Sequence, residues 1–127
     1  MPLFLQDDFG ISLGVFGRFD FGNGKSGLCE IDTGKQGITI DKHLAPSLGV
    51  NLDDPSLKRV QTPTGSSITA TIPSLTLIGA TDSGMKRPTV QFADLVYDCD
   101  IGNAYWADRW FTLDIPERLI YVQVAPE

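Results

Sequence analysis

One tripeptide carries the residue types for proton chemistry. Asp32-Thr33-Gly34 follows the segment Leu28-Cys29-Glu30-Ile31 and leads into Gly37-Ile38-Thr39-Ile40. A carboxylate held on a turn is a candidate general acid or base. Taken alone the tripeptide is a weak signal: at residue frequencies of about 5–7% it arises by chance in ~2% of chains this long. An isolated Asp-Thr-Gly reads first as a turn in which the aspartate bonds its own backbone. The other reactive side chains offer less. His43 is the single histidine, and it reads as a helix-surface residue, because no Ser or Cys stands in a recognisable nucleophile setting. Cys29 and Cys99 lack the short-spaced ligands zinc requires, so no metal site is expected.

The bulk of the chain bounds what could position that turn. Its 127 residues suit a single domain, 1–127, and 42% hydrophobic residues supply a real core. The net charge is −6, with no basic run. Phosphate binding needs clustered Lys and Arg, so nucleic acid is not an expected partner, and neither is an anionic membrane surface. No apolar run reaches the length of a membrane span. The opening Met1-Pro2-Leu3-Phe4-Leu5-Gln6-Asp7-Asp8 lacks the basic and apolar regions of a signal peptide. A cytoplasmic location is the expectation if the chain is full length.

Apolar and polar residues alternate over Ser12–Phe21, Ile68–Leu77, Thr89–Tyr97 and Leu119–Val124, the period of β-strands. Turn residues punctuate them: Thr62-Pro63-Thr64-Gly65, Thr81-Asp82-Ser83-Gly84 and Ile115-Pro116-Glu117-Arg118. Gly22-Asn23-Gly24-Lys25-Ser26-Gly27 reads as a loop joining the first two strands as a hairpin. Asp41 is placed to cap a helix over Lys42–Leu48 that ends at Gly49, held to one or two turns by Pro46. A second helix is expected over Asn103–Trp110, with Asn103 as N-cap and Tyr105, Trp106 and Trp110 facing inward. The pattern predicts an all-β domain with one or two short helices and a small closed or sandwiched sheet.

The stretch Ile31-Asp32-Thr33-Gly34, Ile38-Thr39-Ile40-Asp41 and Leu44-Ala45-Pro46-Ser47-Leu48-Gly49 resembles the retropepsin-like aspartic proteases. Asp100-Ile101-Gly102-Asn103 resembles that family's second signature, and Tyr105-Trp106, Phe111-Thr112-Leu113-Asp114 and Arg118-Leu119-Ile120-Tyr121-Val122 follow it in the same order. Between the signatures, Val60-Gln61-Thr62-Pro63-Thr64-Gly65 and the alternating strand after it resemble the flap hairpin. The resemblance covers about residues 12 to 124. It implies an acid-protease fold: a small closed β-barrel subunit with a flap at Thr62, Pro63, Thr64 and Gly65. It also implies that the strands carrying Cys29 and Cys99 run side by side, whether as free thiols or as a disulfide.

The resemblance further implies an aspartic endopeptidase acting on peptide or protein substrates without metal or organic cofactor. Such chemistry uses two carboxylates about 3 Å apart that share one proton. This chain has one Asp-Thr-Gly, so the second Asp32 would come from a twofold-related copy, making the protein a homodimer. Asp32 would be catalytic. The Thr33 hydroxyl would reach across to the other copy's backbone, and Gly34 would let backbone lie close to the carboxylate.

Four positions depart from the family pattern. Glu30 and Asp100 stand where hydrophobic residues usually line the substrate cleft, Lys35 where Ala is usual, and Gln36 where Ser, Thr or Asp is usual. Lys35 could pair with Glu30 or Asp100, or approach Asp32 and lower its pKa. The acids could instead select basic side chains of a peptide. These departures keep an alternative open: a weakly active or inactive retropepsin-like module for dimerisation or peptide binding.

Overall fold

The computed structural model describes residues 2, 4–8, 12–63, 65–79, 84–107 and 109–124. Within them the strands are β1 (Phe4–Asp8), β2 (Ser12–Gly22), β3 (Lys25–Ile31), β4 (Ile38–Asp41), β5 (Lys58–Thr62), β6 (Gly65–Thr71), β7 (Ser74–Leu77), β8 (Met85–Lys86), β9 (Thr89–Ala93), β10 (Cys99–Ile101), β11 (Arg109–Asp114) and β12 (Leu119–Val124). A single helical turn, α1, spans Asn103–Trp106. One mixed sheet runs β5-β6-β9-β4-β10-β3-β2-β7-β8, with β1 on β2, and β11 and β12 form a separate hairpin. Among the described residues, no helix is long and apolar enough to cross a membrane.

Register sorts this sheet into polar and apolar rows. Lys58, Thr69, Gln91, Thr39, Asp100, Glu30 and Phe16 align across β5, β6, β9, β4, β10, β3 and β2. The next row is Arg59, Ile68, Phe92, Ile40, Cys99, Cys29 and Gly17. Successive strand residues point to opposite faces, so the second row supplies the core while the first faces away from it. Ile68, Phe92, Ile40, Cys99 and Cys29 are all buried, and a large side chain so placed stabilises the fold by ~1.5–3 kcal/mol. Phe19, Tyr105 and Trp106 pack edge to face on the same core, and the Leu77 amide donates to the Tyr105 hydroxyl at 3.0 Å.

Several local expectations are corrected. The sheet is not closed: its path ends at β5, whose five residues are all exposed, and at the two-residue β8. The first hairpin needs a loop of Asn23 and Gly24 alone, both at positive φ (54° and 72°), and Lys25–Gly27 belong to β3. That is the geometry of a two-residue primed turn, which Asn-Gly favours. The run Ile68–Leu77 is two strands. Pro73 offers no N–H to a ladder, and there the chain leaves β9 to pair Leu77 with Phe19 of β2. The run Thr89–Tyr97 stops at Ala93, because the Leu95 amide donates at 2.7 Å to Asp41 Oδ1 instead of to a strand.

The Lys42–Leu48 segment forms two 3-10 turns, Lys42–Leu44 and Pro46–Leu48, with Asp41 as N-cap and Gly49 closing in the left-handed region. The second helix is shorter than expected. It covers Asn103–Trp106 with Gly102 at the N-cap, and Trp110 lies in β11. Asn103 does not cap because its side chain is used elsewhere, at the turn described next. Part of the expected Thr81–Gly84 turn lies outside the described residues.

Candidate active site

Asp32 follows the last residue of β3. Its amide donates to Ile101 O at 3.0 Å, extending the parallel β3–β10 pairing by one bond. Its carboxylate Oδ1 accepts from the Gly34 amide at 3.0 Å, so the turn holds the side chain in one orientation. A Cβ on Gly34 would stand 3.4 Å from that oxygen. Thr33, Gly34 and Gln36 are exposed and Asp32 is half-buried.

The loop after Asp32 is fastened to the start of α1. The first amides of a helix have no partners within it, and here the loop supplies them. Gly102 N donates to Gly37 O at 2.9 Å, Asn103 N to Lys35 O at 2.8 Å and Ala104 N to Gln36 O at 2.8 Å. The Asn103 side-chain amide adds a bond to Thr33 O at 2.7 Å. This close approach requires glycine at 102, since a Cβ there would collide with Gly37 O and lie 2.6 Å from Lys35 O. Behind the loop, Cys29 and Cys99 are joined by a disulfide across β3 and β10, with Cα atoms 4.5 Å apart.

Glu30, Asp100 and Thr39 form adjacent steps of the polar row. Lys35 chooses Asp100: its ammonium is 3.5 Å from Asp100 Oδ2 and also donates to Thr39 Oγ1. Asp100 is only 7% exposed, and its Oδ1 is buried without a hydrogen-bond partner. Burial raises its carboxyl pKa above the ordinary carboxylate value, Lys35 pulls it back, and the charges of Asp32 and Glu30 push it up again. Tyr97 stands on the same face, edge-on to Phe16 with ring centroids 5.6 Å apart. Burial, a hydrogen bond with Glu30, and then the charges of Glu30, Asp100 and Asp32 raise its phenol above the usual range.

A cavity of about 260 Å³ opens between this face and the β5–β6 hairpin, walled by Lys35, Thr39 and Gln91 on one side and Thr62, Ser66 and Ser67 on the other. At the hairpin tip, Thr62 Oγ1 donates to Gly65 O at 3.1 Å, and Gly65 has φ 142°, which favours glycine. Thr64 lies outside the described residues. Lys42 ties the hairpin to the sheet through Ser66 Oγ at 3.2 Å and Asp94 Oδ2 at 3.3 Å. A larger cavity, about 450 Å³, lies beside Pro46, Val50 and Leu52, none of which belongs to the polar row. Among the described residues, no group of three or more His, Cys, Asp or Glu is placed to hold a metal ion.

The sequence-predicted residues Glu30, Asp32, Lys35 and Asp100 are thus brought together. Gln36 contributes its backbone carbonyl, and Thr33 its carbonyl as well as an exposed side chain. Three contributors were missed. Thr39 carried a signal, a polar residue between Ile38 and Ile40 at strand period. Asn103 reads as a cap, and Tyr97 reads as the end of an alternating strand, whereas it lies in the loop after β9.

No protein-family model matches the sequence, and no curated protein matches it. Solved structures do. A retropepsin-like aspartic protease from Rickettsia conorii superposes with a TM-score of 0.64 at 23% identity, over 89% of this chain and 85% of that one. The retroviral protease-like domain of Ddi1 from Leishmania major gives 0.56 at 16% identity, over 87% and 93%. At these identities the likeness is one of fold, and the fold is retropepsin-like.

Proposed function

We propose that this chain, folded as the retropepsin-like proteins are, is one half of an aspartic endopeptidase that works as a homodimer with Asp32 of each copy at the twofold axis. The observation that supports the reading best is the fastening of the Asp32 turn. A carboxylate fixed by the Gly34 amide, on a loop held by four bonds from residues 102–104, is oriented before substrate arrives. Two such carboxylates about 3 Å apart share one proton. The ionised one takes a proton from water as the water oxygen bonds to the peptide carbonyl carbon, and the protonated one gives its proton to the carbonyl oxygen. Return of a proton to the amide nitrogen then accompanies C–N cleavage. The β5–β6 hairpin serves as the flap, closing over substrate and excluding water.

A second reading is a peptide-binding or dimerisation module with little catalysis. It is favoured by the Lys35 ammonium and two further acids beside Asp32, which alter the field in which a single proton must be shared. Sedimentation and a statine-type transition-state mimic test both readings. The peptidase requires a dimer, binding of the mimic and cleavage of a peptide library. Dimerisation with peptide binding but no cleavage would favour the module. A strict monomer at micromolar concentration would overturn the shared-dyad mechanism.

A further inference from the structure

Next to Asp32, the part of the polar row formed by Glu30 and Asp100 has one cation paired to it, Lys35, while the row's own lysine, Lys58, stands at its far end on β5. The charges of Asp32 and Glu30 act on the Asp100 carboxyl, and Lys35 is the cation that acts on it. Lys35 is committed to Asp100 Oδ2 and Thr39. Among the described residues, no ion pair reaches Glu30 or Asp32. Glu30 has the neutral Tyr97 hydroxyl. Asp100, more than nine-tenths buried, keeps Oδ1 without a hydrogen-bond partner on the face it shares with Glu30. Buried carboxylates are stable when paired with a cation or protonated, and among the described residues Lys35 is the one cation ion-paired to either Glu30 or Asp100. The half-buried Tyr97 ring beside them, packed edge-on against the buried Phe16, offers apolar surface for a hydrocarbon stem.

We propose that Glu30 and Asp100 form an acidic subsite that receives the Lys or Arg side chain of a peptide residue flanking the bond Asp32 acts on. The proposal rests on the peptidase reading for the position of the peptide, but its charge preference is testable without turnover. The stem of the basic residue lies along Tyr97, and its cationic head meets Glu30 first, Asp100 lying deeper behind Lys35.

The test uses Asp32→Asn protein and a matched pair of fluorescent peptides that differ by Lys against norleucine at one position. Fluorescence anisotropy should show the Lys peptide binding at least tenfold more tightly. Adding Glu30→Gln, and separately Asp100→Asn, should reduce that ratio several-fold, and 0.5 M salt should shrink it. A peptide-library cleavage profile of the unmodified protein should be richest beside Lys and Arg. Equal binding of the two peptides, or of neither, overturns the subsite, whatever the protein cleaves. Lys-selective binding with no cleavage of any library member sustains the subsite and overturns the peptidase reading instead.

Discussion

Replacing Gly102 by alanine tests whether the Asp32 loop is held in the way described. Gly102 has φ −87° and ψ −173°, which any residue adopts, so the effect is one of contact and not of backbone strain. An added Cβ would collide with Gly37 O, lie 2.6 Å from Lys35 O and stand 2.8 Å from the Gln36 carbonyl carbon. All three are backbone atoms, so relief requires the loop to withdraw from residues 102–104. That stretches three bonds, Gly102 N to Gly37 O, Asn103 N to Lys35 O and Ala104 N to Gln36 O, each contributing roughly 0.5–1.5 kcal/mol. A loss of about 2–4 kcal/mol is expected, read from urea unfolding at fixed protein concentration with an unchanged m-value. Gly37→Ala is the control. It lies on the same loop and a Cβ there meets nothing within 4 Å, so its cost should stay within about 0.5 kcal/mol. If Gly102→Ala unfolds within that margin of the parent, or if Gly37→Ala is equally damaging, the packing argument fails.

Asp32→Asn should abolish peptide hydrolysis, since the amide cannot take up the water's proton, while circular dichroism and sedimentation stay those of the parent; turnover near the parent rate would remove Asp32 from the mechanism. Asp100 titrates above the ordinary carboxylate value of 3.8 in the folded state. The folded protein therefore binds more protons than the unfolded chain from that pH up to Asp100's raised value, and stability should fall as pH rises through that window. Asp100→Asn should flatten this decline in a series of melts against pH, and an unaltered profile would show that the burial of this carboxyl is not felt. The Cys29–Cys99 bridge spans 70 residues, so chain entropy predicts that reduction costs about 4 kcal/mol. Melting should drop on adding dithiothreitol, and two thiols reacting with maleimide in denaturant without reductant would refute the bridge.

What the sequence by itself determined is local. Asn23-Gly24 specified its hairpin because both residues tolerate positive φ. Asp41, Pro46 and Gly49 bounded a short helical segment, because capping, a missing donor and a left-handed stop act within a few residues. Alternation marked β2, β6 and β9, since one face of each strand must be apolar. The Asp32 turn was legible for the same reason: its Gly34 bond is closed within two residues.

The tertiary structure decided the rest, wherever the energy depends on a distant group. Pro73 ends a ladder, but only the place of β2 shows that the chain resumes there against Phe19 and Asp20. Asn103 has the chemistry of a cap, and it binds Thr33 instead because the parallel β3–β10 pairing brings the Asp32 loop within 2.7 Å. Lys35 had three carboxylates to choose from in the sequence. The register of β4, β10 and β3 sets Asp100 between Thr39 and Glu30, and burial makes Asp100 the acid in greatest need of a cation. Tyr97 closes the alternating run Thr89–Tyr97, yet it enters the site from the loop after β9, because what places it is contact with Phe16 and Glu30 across the sheet face.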